Sequence, residues 1–307
     1  MNTELLIITG PTACGKTAVS VEAAKLLNGE IISADSMQVY KGMDIGTAKV
    51  TPEETQGVPH HLIDELYPDE EFNVAVFQQY AKNYITDIKS RGKLPIIAGG
   101  TGFYINAVLY DNDFAKQKDA ENDIRAELQT FADKNGAEAL HDMLRTVDPA
   151  SADKIHQNNI KKVIRAIEFY RLNGRPISEH NAEEKQRTAA YNAKLFVLDM
   201  DRKRLYDRIE KRIDIMLEQG LLQEVENLLK KYSPALVSMQ GIGYKEFVPY
   251  FNGECTLDEA VYTLKANTRH FAKRQLTWFR HQCPDVIWVD MDKFDANRAA
   301  EFICGSI

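Results

Sequence analysis

The feature that most constrains this chain is a glycine-rich segment near its start, which reads GPTACGKT over residues 10–17. It follows a short apolar run at residues 5–9 and precedes apolar residues at helical spacing, which predicts a strand, a turn and a helix. The spacing fits the phosphate-binding pattern G-x-x-x-x-G-K-[ST], in which backbone N–H groups surround an anion, the lysine adds positive charge and the hydroxyl binds Mg²⁺. Thr17 is therefore the candidate metal ligand, and the loop alone would suggest ATP. The predicted phosphate-binding residues are Gly10, Pro11, Thr12, Ala13, Cys14, Gly15, Lys16 and Thr17.

Composition narrows the class of protein. The chain has 307 residues, of which 44% are hydrophobic, enough for one large domain or for a core with a smaller appendage. Its formal net charge of −7 argues against nucleic-acid binding through overall charge, so any such binding must come from locally basic segments. The four cysteines are dispersed without C-x-x-C spacing, which favours reduced thiols. Because no apolar run reaches membrane-spanning length and no leader precedes the first strand, we expect a cytoplasmic protein without membrane contact. We also expect a monomer.

Two further strands are predicted to deliver polar residues to the same edge of a sheet. Residues 30–34 read as a buried strand that ends at Asp35, a candidate general base, metal ligand or helix N-cap. Residues 94–98 read as another, followed by GGTG at residues 99–102. A phosphate-hydrolysing P-loop protein usually carries an acidic residue for Mg²⁺ at this point. The glycines instead allow the backbone to approach a ligand closely, and Thr101 can donate a hydrogen bond to a phosphate oxygen. The alternative is a glycine-rich turn between a strand and a helix with no role in binding.

Two polar segments without clear periodicity, residues 43–49 and 58–64, are predicted to be loops that line the site. The second contains His60 and His61, for which a structural role is the alternative.

The order of these elements predicts an α/β protein with a P-loop NTPase-like parallel sheet flanked by helices and with an inserted all-helical subdomain. The core is placed at residues 1–112 and 194–307 and the insertion at residues 113–193, where the sequence is charged and lacks a buried strand. Basic residues far outnumber acidic ones near residues 154–175 of the insertion. That imbalance indicates either a solvated helix face or contact with a polyanion.

The most basic segment lies on a predicted helix near the C-terminus. Lys265, Arg269 and Lys273 recur at four-residue intervals without an intervening acidic residue, and Arg274 and Arg280 follow among aromatic side chains. Basic residues beside aromatic ones suit a nucleic-acid backbone with unstacked bases. This helix is therefore the strongest candidate for RNA binding.

Six motifs occur in order along the chain: GPTACGKT, DSMQVYKGMDIGTAK, VPHHLID, GGTGFY, IGYKE and AKRQLTWFR. Together they resemble the bacterial tRNA dimethylallyltransferase family, also called IPP transferases, which prenylates N6 of the adenosine immediately 3′ of the anticodon. The resemblance spans nearly the whole chain, and the DSMQ block is far more specific than the P-loop. It implies dimethylallyl diphosphate as donor and Mg²⁺ as cofactor. It also implies a tRNA anticodon stem-loop in a channel between core and insertion, with the target base flipped inward.

The resemblance also implies roles for individual residues. An exocyclic adenine amine is a poor nucleophile, and Asp35 would accept its proton as general base. Lys16, Thr101 and Arg212, with Arg208 one helical turn away, would stabilise the departing diphosphate. The residues that it places at the tRNA are Asp35, Ser36, Met37, Gln38, Thr101, Arg125, Lys161, Lys162, Arg165, Gln240, Gly241, Ile242, Gly243, Tyr244, Lys245, Lys273, Arg274 and Arg280.

The chain departs from the family pattern at two places. Cys14 stands where the family's loop usually has serine, and a thiol is a poor hydrogen-bonding substitute. In the insertion the usual HPNDxxR becomes HQNNIKK, with Asn159 in place of aspartate and Lys162 in place of arginine. Lysine cannot keep a bidentate contact, so the tRNA interaction there is predicted to differ while the core chemistry does not.

Three other functions share part of this pattern. An enzyme that prenylates free AMP or ATP would share the P-loop and Asp35 but needs neither an insertion that spans tRNA nor the basic helix. A small-metabolite kinase would use ATP, and Thr101 in place of an acid argues against it. A non-catalytic RNA-binding GTPase-like module would require guanine-reading loops, which the sequence does not contain.

Overall fold

A computed structural model describes residues 3–111, 118–184, 188–283 and 286–307, with the side chains of residues 118–122 and 184 outside the description. The chain divides into two compact units, one formed by Met1–Asp111 with Ala189–Ile307 and the other by Asn112–Thr188. Of the predicted limits of the insertion, residue 113 lies outside the described residues. The predicted limit at residue 193 is too late, because Ala193 already begins a strand of the first unit.

The first unit contains a six-stranded parallel sheet with the strand order β3-β2-β4-β1-β5-β6. This confirms the predicted α/β class. The two-residue strand β3 is a difference, because it lies in a segment predicted to be a loop. The strands are β1 Leu5–Thr9, β2 Gly29–Ser33, β3 His60–His61, β4 Leu94–Gly99, β5 Ala193–Asp199 and β6 Ile287–Asp290.

The central strand β1 is fully buried, as expected for a parallel strand covered on both faces by helices. Its residue Ile8 pairs in register with Ala98 of β4 and Phe196 of β5, while Ser33 of β2 pairs with the same Ala98. The carboxyl ends of β1, β2 and β4 therefore lie side by side. This alignment brings the segments that follow the three strands to one edge of the sheet.

The helices of this unit start and stop where local sequence predicts. The first helix begins directly after Gly15 and ends at Asn28, which is in the left-handed conformation. The longest begins after a capping box in which Thr256 and Glu259 bond each other's backbone N–H groups. The helices are α1 Lys16–Leu27, α2 Pro52–Thr55, α3 Val74–Ser90, α4 Gly102–Leu109, α9 Arg202–Glu218, α10 Leu221–Leu229, α11 Val248–Phe251, α12 Leu257–Gln282 and α13 Ala296–Gly305.

The second unit is helical throughout its described residues and has its own apolar core, in which Leu140 and Val163 are completely buried. Its longest helix is interrupted at Gly136, whose φ of 86° is not helical. In the described parts of both units, no helix combines the length and apolar character needed to cross a membrane. The helices of the second unit are α5 Lys118–Val147, α6 Pro149–Ala152, α7 Ile160–Asn173 and α8 Ile177–Glu184.

Candidate active site

The glycine-rich loop joins β1 to α1 at the carboxyl edge of the sheet. Gly10 has φ of 147°, and a side chain there would lie 2.5 Å from the carbonyl oxygen of Leu198. Gly15 has φ of 100° and caps α1, while Ala13 takes the left-handed conformation at φ of 65°. The two glycines thus provide a close approach and a left-handed turn that other residues adopt only with strain. The loop ends at a helix N-terminus, where backbone N–H groups and the helix dipole favour an anion.

Lys16 is held over this loop by its own backbone. Its Nζ donates to the carbonyl oxygens of Gly10 at 3.1 Å and Pro11 at 2.7 Å. Burial lowers the pKa of Lys16, and the positive charge of Arg212 lowers it further, whereas Cys14 and Asp35 act in the opposite direction. A cation that is destabilised by desolvation and by a second cation gains from an anion placed between them. The electrostatics therefore favour a negatively charged ligand.

Two arginines of α9, which the family resemblance places at the diphosphate, contact the same loop. Arg212 donates from a terminal nitrogen to the Thr12 hydroxyl at 2.6 Å, and Arg208 donates from Nε to the carbonyl oxygen of Ala13 at 2.8 Å. Burial lowers the pKa of Arg212, although the carboxylate of Asp35 opposes this effect. Together with Lys16, the arginines place three positive charges around the loop.

Cys14 lies inside the loop and contributes packing. Its side chain is 1% exposed, and its Sγ is 3.0 Å from the position that a side chain on Gly10 would occupy. Burial raises its pKa, so the group is a neutral thiol at pH 7. The residue that replaces the family's serine is thus a buried, neutral side chain inside the loop.

Asp35 follows β2 and faces the same cleft as Lys16 and Thr17. Its Oδ1 accepts a hydrogen bond from the N–H of Met37 at 2.9 Å, and a turn rather than a helix follows. The helix N-cap alternative is therefore wrong, and the bond fixes the orientation of the carboxylate. The cleft is lined by Lys16, Thr17, Ser20, Ile31, Ser33, Asp35, Gln38, Val50, His60, Ile63, Ala98 and Gly99.

The neighbours of Asp35 on the DSMQ segment have different environments. Gln38 accepts from the Ser33 hydroxyl at 3.1 Å and donates to the carbonyl oxygens of Thr47 and Ala48 at 3.3 and 3.1 Å. Its amide therefore holds the following loop in place, in addition to lining the cleft. Ser36 and Met37 are half-buried, and the Met37 side chain packs against Gly241.

The two histidines of the VPHHLID motif separate into different roles. His61 bonds the buried carboxylate of Glu30 at 2.8 Å, which is the structural role considered for it. His60 lines the cleft, and its Nδ1 lies 2.8 Å from the carbonyl oxygen of Val58. Burial lowers the pKa of His60, so its ring is neutral at pH 7.

The end of β4 packs tightly against the segment that follows β2. A side chain on Gly99 would lie 2.4 Å from the backbone of Ala34, and the N–H of Thr101 donates to the Ala34 carbonyl oxygen at 3.3 Å. Thr101 precedes α4 without capping it through its side chain. Its hydroxyl is thus not used by the helix and sits at the same sheet edge as the loop and Asp35.

A residue that sequence reasoning missed connects these segments. Gln275 of α12 accepts from the N–H of Thr12 at 2.9 Å and donates to the carbonyl oxygen of Gly100 at 2.9 Å. The side chain is 7% exposed. A polar residue on the buried face of an amphipathic helix was the only signal that could have identified it.

A second missed residue is Glu224 of α10. Its carboxylate accepts from the N–H groups of Asp44, Ile45 and Gly46 at 2.8–3.0 Å and from the Tyr244 hydroxyl at 2.7 Å. It therefore anchors the loop that follows the DSMQ segment.

The IGYKE segment lies against that loop. Tyr244 is completely buried, and a side chain on Gly46 would lie 2.5 Å from its ring. Gly243 is also buried, whereas Gln240 is exposed and Gly241, Ile242 and Lys245 are half-buried. The Tyr244 ring therefore supports the loop from inside, and contact between residue 244 and tRNA stays a prediction.

The basic stripe of α12 is partly neutralised by acids from elsewhere in the chain. Lys265 pairs with Asp214 at 2.6 Å, and Arg269 pairs with Glu210, both acids being on α9. Lys273 and Arg274 remain exposed. Arg280 pairs with Asp199 at 3.1 Å and its guanidinium lies 5.5 Å from the ring centre of Trp288. The face available to RNA is therefore smaller than the sequence predicted.

The predicted contacts of the helical unit lie on two of its helices. Lys161, Lys162 and Arg165 are exposed on α7, and Arg125 of α5 pairs with the buried Glu168 at 2.9 Å. Asn159 stands at the N-cap position of α7 without making a side-chain cap, so the family's aspartate is replaced at a helix start.

The fold and the site define an α/β protein of the P-loop type. It has a cationic anion-binding loop beside a fixed carboxylate and lacks the acid that phosphate hydrolysis requires after β4.

Comparison with known proteins narrows this class to one family. A profile of the IPP transferase family matches residues 38–282. The chain is 55% identical over 294 residues to the tRNA dimethylallyltransferase of Lachnoclostridium phytofermentans, covering 95% of this chain and 93% of the relative. It is 48% identical over 311 residues to that of Halalkalibacterium halodurans, covering 100% and 98%.

Solved structures agree with this result. The full-length tRNA isopentenylpyrophosphate transferase of Bacillus halodurans has a TM-score of 0.74 and 47% identity, with 99% of this chain and 96% of that chain covered. A eukaryotic dimethylallyltransferase acting on tRNA has a TM-score of 0.82 and 30% identity, with 97% and 77% covered. The chain belongs to the IPP transferase family. The assignment made from its motifs is confirmed, and with it the expectation of a prenyl-transferring enzyme.

Proposed function

We propose that this protein transfers the dimethylallyl group of dimethylallyl diphosphate to N6 of the adenosine immediately 3′ of the anticodon in tRNA. The observation that carries the proposal is the convergence of Lys16, Arg208, Arg212 and Asp35 on one sheet edge. Membership of the IPP transferase family supports the substrate pair, because relatives over nearly the full length are named tRNA dimethylallyltransferases.

The cationic loop is suited to a leaving group. As the allylic C–O bond breaks, the diphosphate gathers negative charge, and Lys16, Arg212, Arg208 and the loop N–H groups lie where they would stabilise it. Thr101 would add a hydroxyl donor from the neighbouring turn. No phosphoryl group is transferred in this reaction, so the loop needs no hydrolytic acid.

Asp35 would act on the acceptor. The N6 atom forms a bond to the allylic carbon while the C–O bond to diphosphate breaks, and the proton that N6 loses passes to the Asp35 carboxylate. The hydrogen bond from Met37 holds one carboxylate oxygen. The second oxygen can therefore receive the proton in a fixed orientation.

Magnesium is the expected cofactor, and the residues present fit it. Thr17 brings its hydroxyl oxygen to the cleft that also holds Lys16. Oxygen ligands are those that Mg²⁺ prefers, and it usually takes few from protein and the rest from phosphate and water. Among the described residues, no cluster of three or more His, Cys, Asp or Glu side chains is placed to hold a metal by itself. When bound, Mg²⁺ would neutralise charge on the diphosphate.

A reconstituted reaction tests the proposal. The protein is incubated with Mg²⁺, dimethylallyl diphosphate and either unmodified tRNA or AMP, and the nucleosides are then analysed by mass. We expect prenylated adenosine from tRNA and none from AMP. A product only from AMP, or ATP consumption with a small substrate and no prenylated tRNA, would overturn it.

A further inference from the structure

The helix that carries the basic residues Lys273 and Arg274 also carries a buried amide that touches two parts of the donor site. Gln275 lies between the glycine-rich loop and the turn after β4, bonded at 2.9 Å to the Thr12 N–H by its oxygen and at 2.9 Å to the Gly100 carbonyl oxygen by its nitrogen. One side chain thereby uses both its donor and its acceptor to join segments about ninety residues apart in the sequence.

The space around this amide is filled. A side chain on Gly100 would lie 2.1 Å from the Gln275 nitrogen, and a side chain on Gly102 would lie 2.1 Å from the ring of Trp278 on the same helix. Gly100 is not among the glycines with positive φ, so alanine is compatible with its backbone. The Gln275 amide is the contact that forbids it, and the next group, the Gly10 carbonyl oxygen at 3.3 Å, would have to shift by only a few tenths of an ångström. The second and fourth residues of GGTG are therefore glycines because α12 approaches them.

Gln275 also binds one N–H group of the loop. The Thr12 N–H points to the Gln275 oxygen, and the Thr12 hydroxyl accepts from Arg212 at 2.6 Å. Thr12 is thus fixed from two sides. The Cys14 N–H also donates within the loop, to the Pro11 carbonyl oxygen at 3.4 Å, so part of the loop backbone is already hydrogen-bonded.

We propose that Gln275 is a positioning residue for the prenyl-transfer reaction, which sets the separation between the diphosphate-binding loop and Thr101. This inference rests on the proposed function. Thr101 follows Gly100 directly, so a bond to the Gly100 carbonyl fixes the position of its hydroxyl relative to Thr12. A displacement of about 1 Å between groups that act on one leaving group is enough to cost on the order of 10²-fold in rate.

The test compares Gln275→Ala and Gln275→Glu with Gln282→Ala, an exposed glutamine at the end of the same helix. The glutamate keeps the acceptor for Thr12 but loses the donor to Gly100. We expect both Gln275 variants to lower kcat about 10- to 100-fold and to raise KM for dimethylallyl diphosphate. The Kd for tRNA should stay within about twofold, because Lys273 and Arg274 remain on an intact helix. The Gln282 variant should match the wild type.

A double-mutant cycle with Gly100→Ala separates positioning from general destabilisation. In the wild-type background the added methyl group displaces the Gln275 amide and should lower kcat to a similar extent. In the Gln275→Ala background the methyl group enters the space that the amide has vacated, and it should lower kcat by less than about a further twofold. The effects of the two substitutions on kcat are therefore strongly non-additive. Should Gln275→Ala fail to fold, Gln275→Glu and Gly100→Ala carry the comparison.

The inference is overturned if kcat and KM of the Gln275 variants remain within twofold of the wild type, if tRNA affinity falls in parallel with kcat, or if the cycle is additive. These outcomes require an active wild-type protein. A wild type that does not prenylate tRNA would instead contradict the proposed function, so the two failures are distinguishable.

Discussion

At the scale of single residues, the site depends on charges whose surroundings are fixed by the backbone. Lys16 is bonded to carbonyl oxygens of its own loop, and Asp35 is bonded to a peptide N–H two residues ahead. Such local bonds hold the orientation of both groups without needing the substrate. A substitution at either residue therefore tests chemistry more directly than it tests folding.

Asp35→Asn is the sharpest single change for the proposed mechanism. The amide oxygen can still accept from Met37, so the turn is kept, but the side chain can no longer take a proton. We expect kcat to fall about 10²–10⁴-fold, the range for loss of a general base. Steady-state kinetics with tRNA, together with tRNA binding by filter assay, measure the effect. A large loss of tRNA affinity with normal turnover would make Asp35 a binding residue instead.

Glu30 predicts a pH dependence of stability away from the site. It is 1% exposed and accepts hydrogen bonds from Arg91 at 2.8 Å, Lys93 at 2.7 Å and His61 at 2.8 Å. The bond from Arg91 is the main reason that its pKa lies well below the ordinary value, and burial only partly opposes it. A depressed folded-state pKa means that the stabilisation is complete above about pH 4.5 and is lost as the pH falls below that value.

Glu30→Gln should therefore lower the free energy of unfolding by about 1.5–3 kcal/mol at pH 7, because the neutral amide loses the charge-assisted hydrogen bonds from Arg91 and Lys93. The difference from wild type should shrink as the pH falls from 4.5 toward 3. Urea unfolding at pH 7 and pH 3.5 measures it. Glu22→Gln, which removes a surface pair with Lys25, is the control and should change little at either pH. A difference that persists at low pH would contradict the role assigned to Glu30.

At the scale of elements, α12 serves two purposes on different faces. Its buried side carries Gln275 to the donor site, while Lys273 and Arg274 stay exposed. Basic residues nearer its start are paired with acids of α9. Charge counted along a sequence therefore overstates what a helix can offer to a polyanion.

The contrast between exposed and paired basic residues on α12 predicts different effects on tRNA binding. Lys273→Ala and Arg274→Ala should each weaken tRNA binding and reduce the slope of log K against log salt by about 0.7–0.9, the value for one lost phosphate contact. Lys265→Ala removes the same charge from the same helix but from a residue paired with Asp214, and the slope should not change. Binding titrations from 50 to about 200 mM salt measure all three. Equal slopes for the three variants would remove Lys273 and Arg274 from the interface.

At the scale of the whole molecule, the sequence predicts the motifs that directly follow a strand. It does not predict the hydrogen bonds between residues that lie far apart in the chain. The glycine-rich loop, Asp35 and the GGTG turn each follow an apolar strand, and parallel strands align their carboxyl ends, so their meeting could be predicted. The bond from Thr12 to Gln275 joins positions 263 residues apart, and the bond from Gly46 to Glu224 joins positions 178 apart. Periodicity and spacing carry no information about which distant side chains form hydrogen bonds with the backbone N–H groups of a loop. For the same reason, the acids of α9 that neutralise Lys265 and Arg269 were not foreseen.

The interlocked packing of Gly46, Tyr244 and Glu224 has a consequence for how relatives can diverge. The ring of Tyr244 fills the space above Gly46, and its hydroxyl shares one carboxylate with the N–H groups of Asp44, Ile45 and Gly46. A larger residue at position 46 would clash with the ring, and a smaller side chain at position 244 would leave a void. A neutral side chain at position 224 would leave N–H groups of the loop unpaired. Evolutionary drift at these three positions should therefore be correlated, with substitutions inherited in sets across lineages instead of accumulating one at a time.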